Sequence, residues 1–107
     1  MSVKLFLLKS GEYVISDGKE LISDEKPVGY LFNNPFKVVI NSPVFLSESA
    51  NEPEVSVSLS PWIILTNDRQ IPIPFEWVLT VVEPIESIKN MYEEQINGEI
   101  DKDSSFN

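Results

Sequence analysis

The stretch NNPFK carries side chains that could recognise a nucleic acid. The amides of Asn33 and Asn34 can pair with the edge of a base. Phe36 can stack on a base and Lys37 can contact a phosphate. Base pairing by amides, stacking by an aromatic ring and phosphate contact by a cation are the usual contacts to single-stranded RNA. Arg69 in the polar turn NDRQ could contact a phosphate as well, although a lone exposed arginine is usually only solvated. A structural interpretation stays open, because asparagine tolerates a left-handed φ and proline fixes the next one, as in a tight connection within a bent strand. In that interpretation Phe32 or Phe36, which flank the turn, belongs to the core.

The composition removes most catalytic chemistry. The chain contains no cysteine and no histidine, so it cannot form a disulfide, a thiolate zinc site, a cysteine nucleophile or a Ser/His/Asp triad. Three acidic groups in the predicted loops and tail lack the spacing of a calcium or zinc cage and are interpreted as solvated surface: Asp24-Glu25, Glu52-Glu54 and Asp101-Asp103. We therefore expect no enzymatic activity, no catalytic residue, no metal site and no cofactor.

Charge and length limit the possible partners. Seventeen acidic residues against eight basic ones give a formal net charge of −9, which repels polyanions in general, so any nucleic-acid binding must be local. A chain of 107 residues forms one domain with a small core, and oligomerisation is a common source of added stability for such a domain. The apolar start of the chain is too short for a signal peptide, and no run approaches a membrane span. We expect a soluble, cytoplasmic protein without membrane contact.

Strand patterns occupy most of the chain before residue 83. Val3–Leu8 is apolar on both faces, as in a strand buried on two sides, and Asp17-Gly18 predicts a hairpin turn. Alternation of apolar and polar residues predicts a strand over Val55–Ser60 and a long last strand over Phe75–Val82. Shorter strands are predicted before and after Asn33-Asn34-Pro35. The run Trp62–Thr66 is predicted to be a short buried strand. The run Ile71–Pro74 is predicted to lie at a sheet edge or a bend, because proline cannot donate to a ladder.

The pattern changes after Pro84. A helix is predicted to begin at Pro84 and to stop at Gly98. Residues 99–107 are predicted to form an acidic, flexible tail. The fold class is therefore mainly β: a small, strongly bent, five-stranded antiparallel barrel with one C-terminal helix, in one domain over residues 1–98. Apolar residues at spacings of three and four predict one stripe on the helix: Ile85, Ile88, Met91, Tyr92 and Ile96.

Two further features receive structural interpretations. Trp62 and Trp77 are interpreted as core or subunit-interface residues, because each indole buries a large apolar area; a role as stacking platforms for bases is the alternative. The segment Ser47–Glu54 is acidic and rich in turn-forming residues, which predicts a surface loop.

Several runs resemble the Sm/Sm-like (LSm) family. LKSGEYV has a glycine turn after a leucine-rich strand, at Gly11, and VGYLFNNPFKVV has the family's Gly-x-Leu before an asparagine-containing loop, at Gly29 and Leu31. SLSPWI and IPFEWVLTVVEP are similar to a group of small marine cyanophage proteins of that fold, so that the resemblance covers most of residues 3–83. The chain departs from the family in three respects. Its predicted helix follows the barrel, whereas the family's helix precedes it. Phe75-Glu76-Trp77 stands where the family has Arg-Gly or Lys-His before the last strand, and an insertion of roughly Ser16–Pro27 separates Gly11 from Gly29.

The resemblance implies a homo-oligomeric ring of subunits joined strand to strand, which pairs edge strands that would otherwise be exposed. It also implies that the loop from Asn33 to Lys37 faces the central opening, where repetition around the ring adds multivalency to a weak single site. The implied function is binding of single-stranded RNA, with single-stranded DNA as a variant, in processing or regulation, and in the host cytoplasm if the protein is phage-encoded. The alternative is an acidic oligomeric adaptor for protein interaction or assembly, which the net charge favours.

Overall fold

The structure is a computed structural model that describes residues 2–42 and 56–105. Within these ranges the chain forms strands β1 (Val3–Leu8), β2 (Tyr13–Ser23), β3 (Lys26–Ser42), β4 (Ser56–Pro61), β5 (Gln70–Pro74) and β6 (Val78–Val82). A short 3-10 turn, Phe75–Trp77, precedes β6, and the helix α1 follows at Glu86–Ser105. The predicted surface loop Ser47–Glu54 and Val55, the first residue of a predicted strand, lie outside the described residues.

One antiparallel sheet contains the six strands of the described ranges, in the order β4-β3-β2-β1-β6 with β5 also beside β3. The mainly β class with one C-terminal helix is confirmed. The predicted strongly bent, five-stranded barrel is wrong, because among the described strands β4 pairs only with β3 and β6 only with β1. Closing a barrel requires its end strands to pair with each other. The sheet therefore stays open, with β4 and β5 along one edge and β6 along the other.

β3 is one strand of 17 residues where the sequence predicts two. Its first half pairs with β5 up to Asn33, and its second half pairs with β4 from Phe36 onward. The change of partner falls at Asn34, whose φ of 50° is left-handed, and at Pro35, which has no N–H to contribute to a ladder. We call residues 33–36 the β3 kink. The left-handed φ of Asn34 is the conformation that the turn chemistry predicts.

The turn between β2 and β3 lies later than predicted. Asp17 and Gly18 lie within β2, and the turn falls at Asp24 and Glu25, whose φ angles are 52° and 65°. Two consecutive positive φ angles are what a type I′ turn requires, so the predicted type of turn occurs at a different pair. Gly18 is instead required for packing, because a Cβ at this position would lie 2.6 Å from Cζ of Phe6.

The two faces of the sheet carry separate apolar clusters. β1 contributes to both, which confirms the prediction that this strand is apolar on its two faces. We call the clusters the helix-side cluster and the far-side cluster. The buried members of the helix-side cluster are Val3, Ile15, Phe36, Ile88 and Tyr92. The buried members of the far-side cluster are Phe6, Leu8, Val14, Phe32 and Ile73.

α1 covers one face of the sheet with most of the predicted stripe, namely Ile88, Met91, Tyr92 and Ile96. Ile85 precedes the helix and is exposed. Gly98 does not end the helix, which continues to Ser105, because glycine lowers helix propensity by only about 1 kcal/mol and no proline follows it. The flexibility of residues 99–107 stays a prediction. No helix in the described part of the chain is long and apolar enough to cross a membrane.

Candidate functional site

A cleft of about 510 Å³ lies between the β3 kink and the loop that connects β4 to β5. Its lining includes Asn34, Trp62, Thr66, Asp68 and Arg69. The lining thus combines an amide, an indole ring, a hydroxyl and one charged group of each sign. This mixture can bind a ligand that has both a flat apolar surface and polar edges.

Backbone hydrogen bonds fasten the loop to the kink at both of its ends. The N–H of Asn34 donates to the carbonyl oxygen of Arg69 at 2.7 Å. The N–H of Trp62 donates to the carbonyl oxygen of Pro35 at 3.1 Å. Since β3 changes partner at this point, these backbone groups are outside the regular ladders and bond to the loop instead. The walls of the cleft are therefore held at a defined separation.

Asn33 lies beside the cleft and does not line it. Its side-chain oxygen accepts a hydrogen bond from Nε2 of Gln70 at 2.9 Å, and the two residues are paired in the ladder between β3 and β5. Of the two predicted asparagines, Asn34 is the one that reaches the cleft.

Phe36 is a core residue, which corrects the stacking role that the sequence suggested. Its side chain is 2% exposed, and its ring meets the ring of Tyr92 edge to face at a centroid distance of 5.9 Å. Phe36 forms part of the cleft wall, but the ring belongs to the helix-side cluster. The period of two places Phe36 on one face of β3, and α1 then covers that face.

Lys37 lies away from the cleft lining. Its ammonium group is 3.6 Å from a carboxylate oxygen of Glu12, and the residue is opposite Val14 in the ladder between β2 and β3. Since Val14 belongs to the far-side cluster, Lys37 projects on the opposite face from its neighbour Phe36. The structure therefore separates two predicted site residues that are adjacent in sequence. Arg69, predicted from a distant turn, lies in the cleft with Asn34.

Trp62 lines the cleft, although the sequence analysis preferred a core or subunit-interface role for it. The predicted buried strand Trp62–Thr66 is wrong, because these residues form a turn in which Ile64 is 74% and Leu65 is 93% exposed. Trp62 packs against Phe32 at a centroid distance of 5.7 Å and also lines the cleft. The signal that could have indicated this arrangement is Pro61, which ends β4 directly before the tryptophan.

A second, apolar groove of about 210 Å³ lies between the start of α1 and the sheet. Its lining includes Leu5, Tyr13, Val38 and Ile85, and it offers few polar groups to orient a small ligand. Among the described residues, no group of three or more acidic side chains is placed to hold a metal ion. The cleft at the β3 kink is therefore the stronger candidate for a ligand site.

In comparisons with known proteins, no family model and no curated protein matches the chain. The resemblance to the Sm family consequently depends on the short runs given above. The functional argument depends on the geometry of the cleft and on the chemistry of its lining.

Proposed function

We propose that the protein binds single-stranded nucleic acid, with RNA as the first choice and DNA as the variant, as an oligomeric Sm-like protein without enzymatic activity. The observation that carries the proposal is the meeting of Asn34, Trp62 and Arg69 in one cleft. Two of these residues, Asn34 and Arg69, are candidates from sequence, and the third supplies the aromatic surface that Phe36 cannot.

Each of the three side chains matches one part of a nucleotide. The Trp62 indole, which is half-buried and lines the cleft, can stack on a base, an interaction worth about 1–3 kcal/mol per base. The Asn34 amide can pair with the base edge, and the Arg69 guanidinium can contact a phosphate. The cleft volume of about 510 Å³ lies within the roughly 300–1,000 Å³ of small-ligand sites. It suits one nucleotide and is too small for a duplex.

The charge of the protein makes each site weak. The net charge is −9, and Asp68 lies in the same lining as Arg69, so the attraction for a phosphate is local and small. Several copies of the cleft in one oligomer would raise the overall affinity through multivalency. The proposal of nucleic-acid binding is therefore linked to a proposal of self-association.

The ends of the sheet support association of copies strand to strand. β4 and β6 each have one partner among the described strands, so each has a side on which another strand can add. On β6, Leu79 is 61% and Val82 is 45% exposed. Pairing β6 of one copy with β4 of the next would cover these edges, and repetition of this heterologous contact closes into a ring if the rotation permits. This is the ring that the Sm resemblance implies.

The matched pair Arg69→Ala and Lys37→Ala tests the cleft. In titrations of labelled oligo-U, oligo-A and single-stranded DNA at low salt, Arg69→Ala is expected to weaken binding and to reduce the salt slope by about 0.7, the value for one phosphate on a single strand. Lys37→Ala removes the same charge outside the cleft lining and is expected to leave the slope unchanged. Equal effects of the two substitutions would indicate general electrostatic attraction and would contradict the assignment of the cleft.

Trp62 fluorescence provides a direct measure of stacking. Trp62 and Trp77 are the two tryptophans of the chain, so Trp77→Phe leaves Trp62 as the single reporter. Stacking of a base on the indole is expected to quench the Trp62 emission as oligonucleotide is added. The same titration with Trp62→Phe should show no change in the emission of Trp77. Unaltered Trp62 emission at saturating oligonucleotide would place the bound base elsewhere.

Sedimentation equilibrium tests the self-association. The monomer mass is 12.1 kDa, and the wild type is expected to have a multiple of this mass at micromolar concentrations. Leu79→Lys places a charge on the β6 edge and is expected to shift the protein towards monomer, since edge lysines oppose strand addition. Ile22→Lys is the control, because Ile22 is 64% exposed and lies in β2, which is between β3 and β1 in the sheet. A wild-type monomer at all these concentrations would exclude the ring.

The second candidate function is an acidic adaptor that binds protein and no nucleic acid. It is favoured by the net charge of −9 and by the exposed apolar turn at Ile64 and Leu65, since clustered exposed apolar residues often mark interaction surfaces. The oligonucleotide titrations distinguish the two functions. No binding at tens of micromolar in low salt would favour the adaptor.

A further inference from the structure

The hydroxyl group of Tyr92 reaches from α1 to the back of the β3 kink. The side chain is fully buried, with its ring against Phe36. The hydroxyl oxygen lies 2.9 Å from the carbonyl oxygen of Asn33 and 3.0 Å from that of Asn34, so its proton is shared between two successive carbonyls. The backbone N–H of Asp17 donates to the same hydroxyl at 3.1 Å.

These backbone groups need partners because the sheet is irregular at this point. β3 leaves β5 after Asn33, and β2 shifts its register between Ile15 and Asp17. A bulge of this kind leaves backbone groups unpaired in the ladder, and a buried unpaired group is costly. The hydroxyl of Ser16, which is also buried, donates to the carbonyl oxygen of Asn33 at 2.8 Å.

We propose that Tyr92 is a positioning residue for the cleft: its hydroxyl holds the β3 kink from behind, and the kink in turn places Asn34 and the loop that carries Arg69. The inference depends on the proposed function only for what the cleft binds. The connection runs from the Tyr92 hydroxyl to the carbonyl of Asn34, and from the N–H of Asn34 to the carbonyl oxygen of Arg69 at 2.7 Å. The C-terminal helix thereby acts on the cleft without lining it.

The protonation state of Tyr92 suits this role. Desolvation by burial raises the pKa of Tyr92 to about 12, and the nearby Asp17 carboxylate acts in the same direction, whereas hydrogen bonds from the Asp17 N–H and with Ser16 lower it. The hydroxyl therefore keeps its proton at neutral pH and can donate to the two carbonyls. Phenylalanine at this position would preserve the ring contact with Phe36 and remove only the hydroxyl.

The test compares Tyr92→Phe with Tyr13→Phe, which removes the hydroxyl of a tyrosine that is 40% exposed. The first measurement is the 1H–15N spectrum of each protein without nucleic acid. For Tyr92→Phe we expect shifts concentrated at the amides of Asp17, Asn34 and Arg69, and for Tyr13→Phe we expect none there. The second measurement is oligo-U affinity, which should fall for Tyr92→Phe by up to about tenfold, since one hydrogen bond sets the upper limit of the effect.

The two measurements keep the inference and the proposed function separate. Unchanged shifts at the kink, or shifts spread evenly through the core, would overturn the positioning role whether or not the protein binds oligo-U. A wild type that binds no oligonucleotide would overturn the proposed function, and the spectra would still decide the positioning role. If Tyr92→Phe does not fold, the wild type decides it: a slowly exchanging Tyr92 hydroxyl proton close to the Asp17 amide proton is expected, and a rapidly exchanging one would overturn the inference.

Discussion

Replacement of Phe36 by alanine is expected to lower the free energy of unfolding by about 3–5 kcal/mol, the range for removing a buried aromatic ring. The ring is 2% exposed and contacts Tyr92, so its loss would leave a cavity between β3 and α1. Urea unfolding measures the change. Tyr13→Ala is the control, because this tyrosine is 40% exposed and should cost much less.

The same variant decides between the two roles considered for Phe36. A domain of this size has only about 5–15 kcal/mol of stability in total, so Phe36→Leu, which retains most of the volume, provides a milder second variant. Both should lose stability in the order of the volume removed, and any loss of oligonucleotide affinity in the folded fraction should follow the same order, because Phe36 forms part of the cleft wall. Full stability with lost affinity would show that Phe36 contacts the ligand, and that its assignment to the core is wrong.

Gly29→Ala is expected to destabilise the sheet by about 1–3 kcal/mol or more, as other overpacking substitutions do. A Cβ at Gly29 would overlap the carbonyl oxygen of Ile73 and lie 3.1 Å from Cα of Pro74. These are backbone atoms of β5, so no side-chain rotation can relieve the contact and β5 would have to move away from β3. Urea unfolding should show the loss, with exchange of the β5 amides increased.

Gly98→Ala is the matched control and is expected to act in the opposite direction. Gly98 lies within α1, and a Cβ there meets no atom within 4 Å. Alanine is favoured over glycine in a helix by about 1 kcal/mol, so stability and helical circular dichroism should both increase slightly. A loss of stability at Gly98 similar to that at Gly29 would mean that the close approach of β5 is not the cause.

Periodicity predicted the parts of the fold that depend on local pattern. The two-sided apolar character of β1 and the stripe that packs α1 on the sheet follow from the spacing of side chains along a strand and a helix. The position of the β2–β3 turn did not follow, because Asp17-Gly18 satisfies the same turn chemistry as Asp24-Glu25. The choice between them depends on how β2 pairs with β1 and β3 over its full length, with Asp17 opposite Val3 on one side and Asn33 on the other.

Only part of the candidate site could be predicted from the sequence, because local pattern specifies local conformation and not contacts between distant residues. Asparagine tolerates a left-handed φ by its own local chemistry, and Asn34 adopts one. Local chemistry could not show which face of β3 the helix would cover, so it could not decide between a stacking role and a core position for Phe36. It also could not show that Lys37 would lie near Glu12 while Arg69, far away in sequence, would lie beside Asn34.

The mainly β class, the C-terminal helix and the chemical character of the kink could be inferred from the sequence, because each depends on residues that are neighbours in the chain. The open sheet, the place of Trp62 in the cleft lining and the contact of the Tyr92 hydroxyl with the back of the kink could be seen only in the folded protein. These features depend on contacts between residues far apart in sequence, such as the hydrogen bond from Asn34 to Arg69. Such contacts form only after the strands have paired, and the apolar and polar pattern of one strand does not specify which other strand it pairs with.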